Sequence, residues 1–163
     1  MSNLARVYTL TADDYLAGEA LSPIRHEYVA GEVFAMAGAT EEHATIALNF
    51  ASLLRAQVRG GPCRVYIADM KLRVDAADAF FCPDVFVTCD PRDASESLAK
   101  RHPSLICEVL SESTEAFDQP GGWLLAPVAP DGQLELISLG FRCAVDDLYE
   151  DVVFPSPANP AVE

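Results

Sequence analysis

Two isolated acids inside apolar runs constrain the fold of this chain more than any other feature. Asp84 lies within residues 80–89 and Glu108 within residues 104–110, and both runs have the apolar character of buried strands. A carboxylate that is buried without a partner is strongly unfavourable or takes up a proton. A divalent cation shared by two neighbouring strands would compensate both acids, so the pattern predicts a metal site. The alternative is a structural pair, with one carboxylate capping a turn and the other at a strand end.

Length and composition indicate one globular domain. The chain has 163 residues, of which 50% are hydrophobic, enough for a sizeable core. We predict a single domain over residues 1–154 and a flexible tail over residues 155–163, which contain three prolines. No apolar run reaches the ~18 residues that span a bilayer, and the N-terminus lacks an apolar signal segment. These features predict a cytoplasmic protein with no membrane association, and the odd count of five cysteines predicts reduced thiols.

Capping, turn and periodicity signals locate the main elements. Thr11 and Asp14 resemble a capping box at the start of a short helix, and Thr40 can cap a second, longer helix. The predicted elements are helices over 12–19 and 41–58, a hairpin that turns at residues 30–31, strands over 63–74, 80–89 and 104–110, two further strands over 123–128 and 134–139, and a short helix over 146–150.

The net charge of −14 bears on the choice of ligand. Nucleic-acid binding normally depends on Lys and Arg, yet Lys71 and Lys100 are the only lysines and the arginines are scattered. Either a metal neutralises much of the phosphate charge, or nucleic acid is not the ligand.

Four further residues are candidates near the two acids. His43 shares the apolar face of its helix, so it is either a core histidine or a group that contacts a phosphate or the attacking water. Glu27 and Glu32 flank the hairpin turn on one face, where a solvated hairpin is the default and an extra carboxylate near the metal is the alternative. Lys71 is expected in a solvent-facing row of charged residues on its strand, and the alternative is a group that orients the attacking water or stabilises the developing charge.

Several motifs occur in an order that is typical of a known family. In chain order they are Leu10-Thr-Ala-Asp-Asp-Tyr-Leu16, His26-Glu-Tyr-Val-Ala-Gly-Glu32, Met36-Ala-Gly38, His43, Cys63-Arg-Val-Tyr66, Asp69-Met-Lys-Leu-Arg-Val74, Pro83-Asp-Val-Phe-Val-Thr-Cys-Asp90 and Glu108-Val-Leu-Ser-Glu-Ser-Thr114. Together they resemble the bacterial Uma-type restriction endonuclease family, within the PD-(D/E)XK nuclease superfamily. The resemblance covers nearly the whole chain.

This resemblance implies an α/β fold with a restriction-endonuclease-like mixed central β-sheet flanked by helices. It implies that Asp84 and Glu108 hold Mg²⁺ or Mn²⁺, with the carbonyl of Val109 able to complete the shell. Asp84 and Glu108 are then catalytic residues, and His43 is a third that supports the site. The implied activity is endonucleolytic hydrolysis of DNA phosphodiester bonds.

The chain departs from the superfamily at its third signature residue. The Lys expected two positions after the Glu is replaced by Leu110, and no Lys follows Lys100. The resemblance puts the Lys of the Uma-type family on a later helix, which here is cut short by Pro120-Gly121-Gly122. We therefore expect the fold to lack one helix and one or more strands, which exposes a sheet edge. The alternative function is a catalytically degenerate nuclease-fold protein that acts through a homodimer or another partner.

Overall fold

The computed structural model describes residues 9–110 and 127–154. The α-helices are α1 (Ala12–Glu19), α2 (Glu41–Val58) and α3 (Val145–Leu148). The strands are β1 (His26–Val29), β2 (Glu32–Ala35), β3 (Arg64–Ile67), β4 (Lys71–Val74), β5 (Ala79–Phe81), β6 (Val85–Thr88), β7 (Ala99–Lys100), β8 (Pro103–Cys107), β9 (Gln133–Leu136) and β10 (Phe141–Ala144). Single 3₁₀ turns occupy Asp75–Ala77, Pro91–Ala94 and Ile137–Leu139.

The chain divides into two compact units. The first combines Met1–Gly38 with Val58–Glu108, and the second combines Ala39–Gln57 with Val109–Glu163. The single domain expected over residues 1–154 stays a prediction. The expected tail over residues 155–163 and the helix expected to be cut short before Pro120 lie outside the described residues.

The first unit is built on two sheets. The larger has the strand order β2-β1-β5-β4-β7, with β4 and β7 parallel and the other pairs antiparallel. The smaller has the order β3-β6-β8 and is antiparallel throughout. The expected α/β fold with a mixed sheet is confirmed.

Two of the predicted strands are each broken into two, and the halves belong to different sheets. The prediction of continuous strands over residues 63–74 and 80–89 is therefore wrong. The first run breaks after β3, where Ala68 has a positive φ of 37°. The second breaks between β5 and β6, because Pro83 has no N–H to donate to a ladder. The break leaves Asp84 in the turn that leads directly into β6.

Helix α1 begins where its capping residues predict. The Thr11 hydroxyl accepts the N–H of Asp14, and the Asp14 carboxylate accepts the N–H of Thr11, which completes the capping box. Tyr15 stacks on Tyr28 of β1 with ring centroids 5.2 Å apart, and its hydroxyl donates to the carbonyl of His26 at 2.6 Å. The same face of α1 therefore packs on the larger sheet and brings its last residue, Glu19, into the interior.

The second unit contains α2, the β9–β10 hairpin and α3. Thr40 caps α2 as predicted, since its hydroxyl accepts the N–H of His43 at 3.3 Å. Phe50 of α2 packs edge-on against Phe141 of β10, with ring centroids 5.9 Å apart. Strand β10 was not predicted, and the strand expected over residues 123–128 lies mostly outside the described part of the chain. None of the helices in residues 9–110 and 127–154 has the length and apolar character needed to cross a membrane.

A disulfide joins Cys63 and Cys89, so the expectation of reduced thiols is wrong for this pair. The register of β3 on β6 explains the pairing. Arg64 lies opposite Thr88, so the next position places the two cysteines opposite each other. Reading each cysteine within its own strand could not reveal a partner on the neighbouring strand. Cys82 and Cys143 are free and buried.

Candidate functional site

The two predicted acids face each other across neighbouring strands. Val85 of β6 pairs with Cys107 of β8, and one position further along the same register Asp84 lies opposite Glu108. The N–H of Asp84 donates a long hydrogen bond of 3.4 Å to Glu108 Oε2. Since β6 and β8 are antiparallel neighbours, the end of one strand meets the start of the other, and the ladder itself brings the acids together.

Both acids lie at strand ends and not within the strands, which corrects the expectation of two buried carboxylates. Asp84 precedes β6 and is half-buried, and Glu108 follows β8 and is exposed. The structure thus has the strand-end positions of the structural alternative together with the close approach expected of the metal site. An exposed position leaves one side of the acid pair open to an ion from solvent.

The electrostatics of the pair are unfavourable. Although Glu108 is exposed as a residue, its carboxyl group loses part of its hydration, which raises the pKa of Glu108 to about 7, and the negative charge of Asp84 adds to this rise. The hydrogen bond from the Asp84 N–H offsets part of the shift, while the charge of Glu27 increases it. A divalent cation at this position would relieve the repulsion that the acids exert on each other.

Glu27 of β1 lies close to this pair. Its Oε1 accepts the N–H of Cys82 at 3.1 Å, in the turn that carries Asp84. Glu32, the other acid of the hairpin, is exposed on β2. The default expectation of a solvated hairpin therefore holds for Glu32 but not for Glu27.

The donor set fits a magnesium-like ion better than a closed metal centre. Within residues 9–110 and 127–154, no group of three or more His, Cys, Asp or Glu side chains is arranged to hold a metal ion. Two carboxylates with an open side match the habit of Mg²⁺, which binds one or two carboxylates and keeps several waters. The predicted roles of Asp84 and Glu108 as ligands and the predicted Mg²⁺ or Mn²⁺ stay predictions, as does the role of the Val109 carbonyl.

His43 lies in the first turn of α2 and is partly buried. It belongs to the second compact unit, whereas Asp84 and Glu108 belong to the first. Its predicted catalytic role in support of the acid pair therefore stays a prediction.

Lys71 is buried, so the solvent-facing row expected for it is wrong. Its Nζ lies 3.3 Å from Glu19 Oε1 and 5.7 Å from the centre of the Tyr15 ring. Glu19 also accepts the backbone N–H of His26 at 3.0 Å, and its Oε2 lies 3.0 Å from His26 Nδ1. Strand β4 begins at Lys71 and has a neighbour on each side, and α1 covers the side chain. No spacing signal links residues so far apart in the sequence, and sequence reasoning missed this cluster.

Lys100, the second lysine of the sequence, is also held inside the protein. Its Nζ donates to the carbonyl oxygens of Asp93, at 2.8 Å, and Glu96, and it lies 5.1 Å from the centre of the Tyr66 ring. Both lysines of the chain are thus engaged by neighbours in their own unit. Leu110, at the position where the sequence resemblance led us to look for the signature Lys, is exposed.

Comparison with known proteins agrees with the order of motifs and with the fold. The sequence profile of the Uma2 family, described as "Putative restriction endonuclease", matches residues 12–123, which is more than half of the chain. This chain belongs to the Uma2 family. The match includes α1, both sheets of the first unit and the acid pair.

Two cyanobacterial relatives and one solved structure resemble this Uma2 protein. Slr1290 of Synechocystis, an uncharacterized protein, is 30% identical over 178 residues, covering 89% of this chain and 94% of the relative. Sll1609, another uncharacterized protein of Synechocystis, is 33% identical over 121 residues, covering 73% of this chain and 68% of the relative. A crystal structure described as a putative nuclease belonging to DUF820, from Anabaena variabilis, superposes with a TM-score of 0.70 and 15% identity, over 88% of this chain and 99% of that one.

The alignment with slr1290 spans 178 positions, against the 163 residues of this chain. The expected loss of one helix and one or more strands stays a prediction.

Proposed function

We propose that this protein is a metal-dependent endonuclease that hydrolyses phosphodiester bonds of DNA, with Asp84 and Glu108 as ligands of Mg²⁺ or Mn²⁺. The observation that carries the proposal is the meeting of these two acids at one position of the β6–β8 register. Membership of the Uma2 family supports the nuclease class. The metal and the DNA substrate are our inference from the donor set and the superfamily pattern.

The acid pair would serve to hold and orient the ion. When bound, such an ion polarises a phosphate oxygen and lowers the pKa of a coordinated water. Asp84 and Glu108 lie next to paired residues of neighbouring strands, so the β6–β8 ladder helps to fix where both acids stand. The open side of Glu108 leaves room for a phosphate and water.

The charge of the chain adds a constraint to this proposal. The chain has 25 Asp and Glu against 11 Lys and Arg, and both of its lysines are engaged inside the protein. DNA binding should therefore depend on the divalent ion more than on ionic contacts to Lys and Arg.

A plasmid-cleavage assay tests the proposal. The full-length protein is incubated with supercoiled plasmid and Mg²⁺ or Mn²⁺, beside EDTA, Asp84→Ala and Glu108→Ala samples. Asp13→Asn is the matched control, because it removes one acid from the exposed face of α1. We expect metal-dependent nicking that survives in the control and is lost in both site variants. Cleavage that survives in both site variants, or none by a protein shown to be folded by circular dichroism, contradicts the proposal.

The second candidate function is association without catalysis. It is favoured by the replacement of the signature Lys by Leu110 and by the engagement of Lys71 and Lys100 elsewhere. In this case the nuclease fold acts as a homodimer or binds another partner. Sedimentation velocity on the full chain tests the dimeric version: a concentration-dependent dimer supports it, and a strict monomer counts against it.

A further inference from the structure

The turn that carries Asp84 is held by glutamates on both sides. It connects β5 in the larger sheet to β6 in the smaller sheet. Because Pro83 has no N–H, the turn can donate only through Cys82 and Asp84. The Cys82 N–H donates to Glu27 Oε1 at 3.1 Å, and the Asp84 N–H donates to Glu108 Oε2 at 3.4 Å. Both N–H groups of the turn are therefore accepted by carboxylates.

The register of the larger sheet explains how Glu27 reaches this turn. Tyr28 of β1 lies opposite Phe80 of β5, so Glu27 lies opposite Phe81, one residue before Cys82. At this point the chain leaves β5 and heads for the smaller sheet. The side chain of Glu27 thus takes the N–H of the first residue beyond the strand.

An acid at this position is electrostatically costly. A neutral glutamine could accept the same hydrogen bond, whereas the charge of Glu27 adds to the negative charges of Asp84 and Glu108. A carboxylate makes a stronger, charge-assisted hydrogen bond to an N–H group, which favours a fixed turn. Second partners of this kind orient the ligands of metal sites in general.

We propose that Glu27 is a positioning residue of the Asp84–Glu108 site: its carboxylate anchors the Cys82 N–H and thereby sets Asp84 opposite Glu108 for binding of a divalent cation. This inference rests on the proposed function, since the cation belongs to that proposal. Glu32 is exposed on the next strand of the same hairpin and provides a matched control.

The test combines metal affinity with a measurement on the metal-free protein. Mn²⁺ binding is titrated calorimetrically for full-length wild type, Glu27→Ala, Glu27→Gln, Glu32→Ala and Asp84→Ala. Amide hydrogen exchange at Cys82 is followed by NMR without metal. We expect Glu27→Ala to weaken Mn²⁺ binding about 10-fold or more and to speed exchange at Cys82. Glu27→Gln keeps the accepting oxygen and should restore most of both properties, and Glu32→Ala should match wild type.

The outcomes separate this inference from the proposed function. If wild type binds no Mn²⁺, the proposed function fails. If wild type binds, Asp84→Ala does not, and Glu27→Ala binds as well as wild type, the positioning role alone is overturned. It is also overturned if Glu27→Gln loses as much affinity as Glu27→Ala, because the charge and not the hydrogen bond then matters. Should Glu27→Ala fail to fold, Glu27→Asp withdraws the carboxylate from Cys82 while keeping the charge, and the same loss of affinity is expected.

Discussion

Two glutamates in the first compact unit meet the cost of lost hydration in opposite ways. Burial alone raises the pKa of Glu19, but the hydrogen bonds from His26 and the charge of Lys71 outweigh this, and the net pKa is lowered. Loss of hydration also raises the pKa of Glu108, and there the neighbouring charges of Asp84 and Glu27 act in the same direction. One carboxylate is compensated within the fold, and the other is surrounded by further acids.

The contrast also shows which groups the two lysine side chains of this protein contact. The Lys71 ammonium is committed to Glu19 in the interior, and the Lys100 ammonium to backbone carbonyls. At the turn before β6, Glu27 accepts the N–H of Cys82, and Glu108 accepts the N–H of Asp84. The raised pKa of Glu108 and the facing position of Asp84 support our proposal that this pair binds a cation from solvent.

The largest effect is expected from breaking the compensated region. Lys71→Met keeps most of the side-chain volume but removes the charge that faces Glu19. Removing one partner of a buried ion pair typically costs about 3–5 kcal/mol, because the other charge stays buried. We expect a loss of this size in the free energy of unfolding, measured by urea denaturation.

An exposed ion pair supplies the control for this change. Arg25 and Asp69 lie 3.0 Å apart, with side chains 48% and 74% exposed. Arg25→Met should therefore cost less than about 1 kcal/mol. If Lys71→Met costs no more than Arg25→Met, the Glu19 cluster does not stabilise the fold as the contrast requires.

The pH dependence of stability gives a smaller effect with a defined sign. The pKa of Glu19 is lowered below its ordinary value of 4.5 in the folded protein. Its contribution is therefore fully present above pH 4.5 and is lost as the pH falls through the folded-state pKa. The free energy of unfolding of wild type and of Glu19→Gln is measured in urea from neutral pH down into the acid range. The difference between the two proteins should be constant near neutral pH and should become smaller in acid. A difference that widens in acid would show that the sign is wrong.

The sequence predicted those parts of the fold that depend on neighbouring residues. The capping box of Thr11 and Asp14 sets the start of α1, and Thr40 sets the start of α2. The hairpin turn is equally local, since Ala30 and Gly31 both adopt the positive φ that a two-residue turn requires. Each signal needs contacts over three or four residues only, so it can be read from the chain.

The sequence also predicted that Asp84 and Glu108 come together, because it put them on neighbouring strands. It could not predict the register of these strands, which places the two acids opposite each other. Their strand-end positions were missed, because apolar periodicity does not reveal where a strand leaves one sheet for another. Pro83 was the signal that could have located this break.

Two other pairs of residues from distant segments were not predicted. Lys71 and Glu19 meet because α1 lies on the larger sheet, and Cys63 and Cys89 meet because of one register between β3 and β6. A charged side chain on a strand is expected to face solvent unless a helix is known to cover it. The expectation for Lys71 was wrong for this reason.

The smallest effect that we expect comes from the facing acids Asp84 and Glu108. Asp84→Asn keeps the size of the side chain and removes one of the two facing negative charges. Like charges directly opposite on neighbouring strands are destabilising, so in EDTA we expect this variant to be more stable than wild type by roughly 0.5 kcal/mol. Glu32→Gln, on the exposed edge strand β2, should leave the free energy of unfolding nearly unchanged.

Added Mn²⁺ should make wild type more stable than Asp84→Asn. A ligand that binds only the folded state stabilises it by mass action, so the free energy of unfolding of wild type should rise with Mn²⁺ while that of Asp84→Asn stays constant. The sign change distinguishes a metal site from a structural acid pair. If Asp84→Asn is less stable than wild type in EDTA, the Asp84 carboxylate stabilises the folded protein without a metal. The contrast between the favourable surroundings of Glu19 and the unfavourable surroundings of Glu108 would then be wrong.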